Sequence, residues 1–199
     1  MQRSRHLLLW LALGLLVLAA GPSAAGERLL TLDPARTQIR FELGTTLHTV
    51  HGSADLTRAV IRFGDGSGAQ PADGAVIVDA RSARTGNERR DRKMHEEVLE
   101  SARFPEIAFR PERIDVKTLA PPRAELTLLG RIEIHGTSHP LAIPADVVAT
   151  APDRLHVRAR FSIPYASWGM KDVGNLLLRV DDAVLVEIDA EGVLAEGSR

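Results

Sequence analysis

The sequence predicts an all-β fold with one short helical insertion, closed into a barrel or folded into a sandwich. Three observations carry this. About eight segments alternate apolar and polar residues with a period of two, the mark of strands with one face in a core and the other in water. A single stretch, Arg84 to Phe109, carries its apolar residues at helical spacing instead. With no cysteine in 199 residues, the core alone must hold the chain together.

The first 25 residues read as a leader outside the fold. Arg3 and Arg5 form a basic start, Leu7 to Ala20 an apolar run, and Ser23-Ala24-Ala25 a small-residue cleavage signal. The apolar run is shorter than the ~20 residues that span a bilayer, which favours cleavage over a retained anchor. A mature chain starting at Gly26 is expected in the periplasm or outside the cell, with no membrane span. Residues 26–199 suit one domain.

The strands follow in order. Ile39, Phe41 and Leu43 share one face of Gln38–Leu43, and Ala59, Ile61 and Phe63 share one face of Asp55–Phe63. Gly64–Gly74 is rich in Gly, Pro and Asp and reads as a loose surface connection. Val76, Val78 and Ala80 resume the alternation, and Ile107–Arg110 takes it up after the helix. Glu125–His135 is the clearest strand, with Leu126, Leu128, Gly130, Ile132 and Ile134 against charged neighbours. Gly130 in mid-strand marks either a barrel corner or a close approach by backbone or ligand. Val157, Ala159, Phe161 and Ile163 define another strand, and Val184, Val186 and Ile188 the last.

In the helical stretch, Met94, Val98, Leu99 and Ala102 fall on one stripe. Thr85 with Glu88 resembles a capping box, and Arg103 with Pro105 marks the end. A short helix with a greasy stripe in a β chain reads as a lid or plug. Glu96, Glu97 and Glu100 read as its solvated face, with Arg92 and Arg103 as partners. Asn87, Arg89, Arg90 and Asp91 read as an anchor of the helix to the barrel mouth, with a hinge as the alternative role.

The formal charge of −1 turns slightly more negative without Arg3 and Arg5, and no Lys/Arg block stands out. Nucleic acid and anionic membrane are therefore poor partners. His48 and His51 point to opposite faces of a strand, and His135 and His139 flank a Gly136-Thr137-Ser138 turn; neither pair has a metal-ligand spacing. His95 has Asp91 four residues before it, enough for a simple surface hydrogen bond. No nucleophile elbow or triad context occurs. No catalytic residue, metal or cofactor is therefore assigned.

Several segments together resemble the YceI family of polyisoprenoid-binding exported proteins. They are LDPARTQIRFEL, VDARSARTGNERRDRKM, SARFPEIAF, ELTLLGRIEIHGTSHPLAI and DDAVLVEIDAEG, in family order from Leu30 to Leu194. The resemblance implies an eight-stranded antiparallel lipocalin-like barrel with the helical insertion near residues 86–103. It also implies an apolar cavity for a polyisoprenoid or similar lipid, and no known catalytic residues. Candidate cavity residues are Ile39, Phe41, Leu43, Val76, Val78, Phe109, Leu128, Gly130, Ile132, Phe161, Ile163 and Trp168. Candidate polar groups at the barrel mouth are His48, His51, Asn87, Arg90, Asp91 and His95. Two other readings compete with a carrier of a long apolar molecule. One is a metal-assisted hydrolase or isomerase at the histidine-bearing rim; the other is an accessory barrel that binds a protein partner of a membrane redox system.

Overall fold

The computed structural model describes residues 26–64, 66–171 and 180–197; the expected leader lies outside them. Eight strands follow one another round a closed antiparallel barrel: β1 (Glu27–Gly44), β2 (Thr49–Gly64), β3 (Gly68–Arg84), β4 (Glu106–Ala120), β5 (Arg123–Ile134), β6 (Thr137–Ala151), β7 (Arg154–Ile163) and β8 (Val184–Glu196). β8 returns to β1, with Ile188 opposite Ile39 and Val186 opposite Phe41. Closure gives every inward apolar face the others to look at, as the one-sided alternation demands.

The strands run longer than the alternation suggested, because bulges shift its phase. In β1 the inward residues are Leu30 and Leu32, then Ile39, Phe41 and Leu43, and the register breaks between Leu32 and Ile39. There Asp33 accepts a bond from Ala35 N at 2.9 Å, and its carbonyl accepts one from the Thr37 hydroxyl at 2.7 Å. β2 changes phase at Leu56/Arg58 and β4 at Pro111/Arg113, where the inward set passes from Ile107 and Phe109 to Ile114 and Val116. Each bulge adds a residue on one strand and so flips the faces beyond it.

The Gly64–Gly74 connection is a correction. Gly68 onward is already β3: Gln70 lies opposite Ile114 of β4, and Asp73 opposite Arg62 of β2. Glycine and proline mark a bulge here, with the register shifting between Pro71 and Val76. Gly74, at φ 122°, brings its α-carbon so near Val60 that an added Cβ would lie 2.1 Å from the carbonyl oxygen.

The helix is present, but begins and ends differently. α1 spans Glu88–Lys93 and continues as a π-helical turn, Met94–Val98. Its N-cap is Asn87, whose side chain accepts from Arg90 N at 3.0 Å; Thr85 lies further out. Glu100 at φ 44° ends the helical path, leaving Ala102 beyond it and exposed. No helix among the described residues is long and apolar enough to cross a membrane.

One end of the barrel carries the helix, the β1–β2 loop, the β5–β6 hairpin and the segment after β7; the other carries the β4–β5 and β6–β7 turns, the start of β1 and the end of β8. The β5–β6 turn is shorter than expected. His135 (φ 52°) and Gly136 (φ 72°) make it alone, leaving His139 within β6. Two positive φ angles in a two-residue turn match the right-handed twist of the flanking strands.

Candidate functional site

The inward faces enclose a cavity of about 1020 Å³ along the barrel axis. That lies at the upper end of the roughly 300–1,000 Å³ typical of ligand pockets. Among the described residues, no large side chain falls below 2% exposure, because even the core residues border this internal space. Phe109 and Ile132, for example, retain 5% and 4%.

The lining comes from all eight strands. Ile39, Phe41, Leu43, Val76, Val78, Phe109, Leu128, Ile132, Phe161 and Ile163 all border the cavity, where the alternation put them. Two residues assigned there do not. Gly130 is buried among backbone: an added Cβ would stand 2.2 Å from Arg110 O and 2.9 Å from the Pro111 Cα. Of the two readings of this glycine, a close backbone approach is the one seen. Trp168 covers the end of the core, packed against the buried cluster with its ring stacked on His139, centroids 4.3 Å apart and planes within 2°. Its neighbours in the same segment, Tyr165 and Met170, are buried and reach the cavity instead.

At the helix-bearing end, Met94, Val98 and Leu99 close over the cavity, so the apolar stripe forms its ceiling. Thr85 ties the helix to the end of β3. Its N–H donates to Asp91 Oδ1 at 2.8 Å, and its hydroxyl donates to the same oxygen. The Arg90 Nε donates to the Thr85 hydroxyl at 2.7 Å, and Nη2 to the Thr85 carbonyl at 3.0 Å. Burial draws the Asp91 carboxyl upward, but the two Thr85 bonds, with Arg90 and His95 nearby, outweigh it and leave the group below its ordinary value. Asp91 is thus an anchor, as is His95. The His95 Nε2 donates to Ala83 O at 2.9 Å, which leaves Nδ1 to accept from the Ser101 hydroxyl at 2.9 Å. Its expected bond to Asp91 is replaced by these two.

The remaining polar candidates divide. His48, Asn87 and Arg90 border the cavity; His51 lies on the exterior, its Nδ1 3.2 Å from Glu42 Oε1 across the β1–β2 pair. The helix carboxylates found partners other than Arg92. Glu97 accepts from Lys171 at 2.7 Å, and Glu100 meets His135 at 2.9 Å and Arg103 at 3.5 Å. The His135 hydrogen bond holds the Glu100 carboxyl below its ordinary value. Among the described residues, no three His, Cys, Asp or Glu side chains gather as a metal-holding group.

Sequence reasoning missed several lining residues. Lys93 follows Arg89 by four residues, which puts both on the helix flank facing the cavity, and that spacing was a usable signal. Arg28 and Arg123 border the opposite mouth, with Leu119, Pro121, Pro122 and Pro152. Their inward placement depends on bulges and turns that no local pattern announces.

The fold has known counterparts. A polyisoprenoid-binding domain from Saccharophagus degradans implicated in plant cell wall breakdown aligns at a TM-score of 0.62, with 17% identity, over 83% of this chain and 98% of that one. BcnA of Burkholderia cenocepacia aligns at 0.59 and 14%, over 82% and 99%. A Campylobacter jejuni YCEI protein aligns at 0.55 and 18%, over 75% and 86%. No curated protein sequence matches significantly. The family model of the YceI-like domain matches residues 30–192, nearly the whole described barrel, and the chain therefore belongs to the YceI family.

Proposed function

We propose that this protein is an exported carrier that encloses one long apolar chain, of isoprenoid type, lengthwise in its barrel. The observation that carries the reading is the cavity: continuous, about 1020 Å³, and walled by aliphatic and aromatic side chains from every strand. A similar structure is described as a polyisoprenoid-binding domain, which supports the cargo class. The basic and apolar leader at the N-terminus supports export.

The energetics suit a chain and disfavour a small ligand. Each methylene moved from water into such a tube contributes about 0.8 kcal/mol. Association itself costs on the order of 4–15 kcal/mol, so short chains gain too little to bind. The reading of a metal-assisted enzyme requires at least three of His48, His51, His95 and Asp91 to converge, and among the described residues no such group forms. His51 faces outward, while His95 and Asp91 are committed to bonds that hold the helix.

A chain-length series tests the proposal. Affinity for unbranched alcohols is expected to rise about fourfold per added methylene, then to level off once the tube is full. Thermal shift or fluorescence displacement reads both features. Affinity independent of length would refute lengthwise enclosure.

A further inference from the structure

β6 and β7 are laddered along only part of their length. Their pairs run from Ala151/Arg154 to Ala145/Ala159 and stop there, although β6 stays paired with β5 to Thr137 and β7 with β8 to Ile163. The sequence supplies the reason. The two-residue β5–β6 turn puts both bonds of the pair Ile134/Thr137 inside the hairpin. Alternation then directs Thr137, His139, Leu141 and Ile143 towards β5, and Ser138, Pro140, Ala142 and Pro144 towards β7. The bond from Ala149 N to Pro122 O, at 2.8 Å, keeps the same phase. The missing rungs are therefore Pro144/Arg160, Ala142/Ser162 and Pro140/Pro164, and three of these residues are prolines with no N–H to give.

The result is a slit in the wall, roughly 13 Å long from Pro144 to Pro140 at ~3.3 Å per residue. Its inner side carries the apolar Leu141, Ile143, Phe161 and Ile163, which pack into the core cluster. Its outer side carries the small, exposed Ala142 and Ser162. An outer hollow of about 520 Å³ reaches Pro144 and Arg160, where the ladder ends. Beyond Ile163 the chain turns, and Trp168 comes to stack on His139 of β6.

Both ends of the barrel are tied more firmly. The helix is held by the bonds of Thr85, Asp91, Arg90 and His95. At the other end the turns bond to neighbouring strands, with Leu194 N on Asp153 O at 2.8 Å. Building on the carrier reading, we propose that the apolar chain enters and leaves sideways through the slit between β6 and β7, with Trp168 on His139 as its latch. Opening there parts apolar side chains and breaks no ladder bond, which places it at the low-cost end of local unfolding. The same prolines keep a foreign strand from adding to the edge of β6.

The chain has no cysteine, so paired cysteine substitutions report on the slit alone. In Ala142→Cys/Ser162→Cys the two thiols stand on the outer face across it, and a short bis-methanethiosulfonate reagent bridges them on the folded protein. Loading is followed by stopped-flow with cis-parinaric acid, and release by chasing the probe with excess geranylgeraniol. Bridging is expected to slow both rates about tenfold or more at unchanged affinity, and reduction of the bridge to restore them. The same bridge in Val148→Cys/His156→Cys, within the paired half, should leave both rates as they were. Trp168→Ala should raise loading and release together, about threefold or more. Unchanged rates across the bridged slit overturn the proposal and leave the carrier reading standing, as does equal slowing by the control bridge. If neither probe nor geranylgeraniol binds the unaltered protein, both readings fall. Should the double variant fold poorly before bridging, Trp168→Ala decides, and unchanged rates there overturn the proposal.

Discussion

Replacing Gly130 with alanine is expected to destabilise the barrel by about 3 kcal/mol, seen as a lower urea midpoint at unchanged slope. The methyl group would stand 2.2 Å from Arg110 O and 2.9 Å from the Pro111 Cα. Both obstacles are backbone, so no side-chain rotation relieves the clash. The cause lies in β4. Pro111 sits opposite Gly130, and the register slips between Pro111 and Arg113, which brings that backbone over the glycine. A change of less than about 0.5 kcal/mol, the usual size for a surface substitution, would show that β4 does not approach so closely.

The second large effect falls on binding. Leu128 borders the cavity from β5, which faces β1 across the eight-stranded ring. Leu128→Trp places a large ring in the path of any threaded chain. Affinity for long-chain ligands should fall at least about tenfold. Stability should change by only about 1 kcal/mol, because filling empty space offsets the indole N–H left without a partner. The same substitution in a solid core would overpack it at a cost of about 1–3 kcal/mol. The combination of lost binding and kept stability is therefore specific to a hollow interior; strong destabilisation with binding retained contradicts it.

How much of this was legible depends on bulges. β5, β7 and β8 keep one phase throughout, so Leu126 to Ile134, Val157 to Ile163 and Val184 to Ile188 were readable from alternation alone. β1 to β4 change phase at Leu32/Ile39, Leu56/Arg58, Pro71/Val76 and Pro111/Arg113, and there the alternation pointed to short strands or a loop. A period-two signal cannot survive an inserted residue. The helix was visible from its stripe, but its cap was not. Thr85 and Asn87 are both capping residue types, and residue type alone does not say that Thr85 bonds Asp91 while Asn87 caps.

The candidate site divides along the same line. Strand residues such as Phe41, Val78 and Phe161 line the cavity because alternation is a local property. Trp168 was misplaced because its partner, His139, is distant in sequence and lies on another strand. Nothing local separates an aromatic ring that covers one end of the core from one that lines the cavity.

The claim on which all of this rests is that the tube is hollow and takes a chain. Native mass spectrometry on protein prepared without detergent tests it most directly. The account predicts a bound species of hydrocarbon-chain mass, in a ratio of one to one, which organic extraction removes and an added long prenyl chain restores together with thermal stability. Protein that is empty in every preparation, and whose melting temperature no long chain moves, would contradict it.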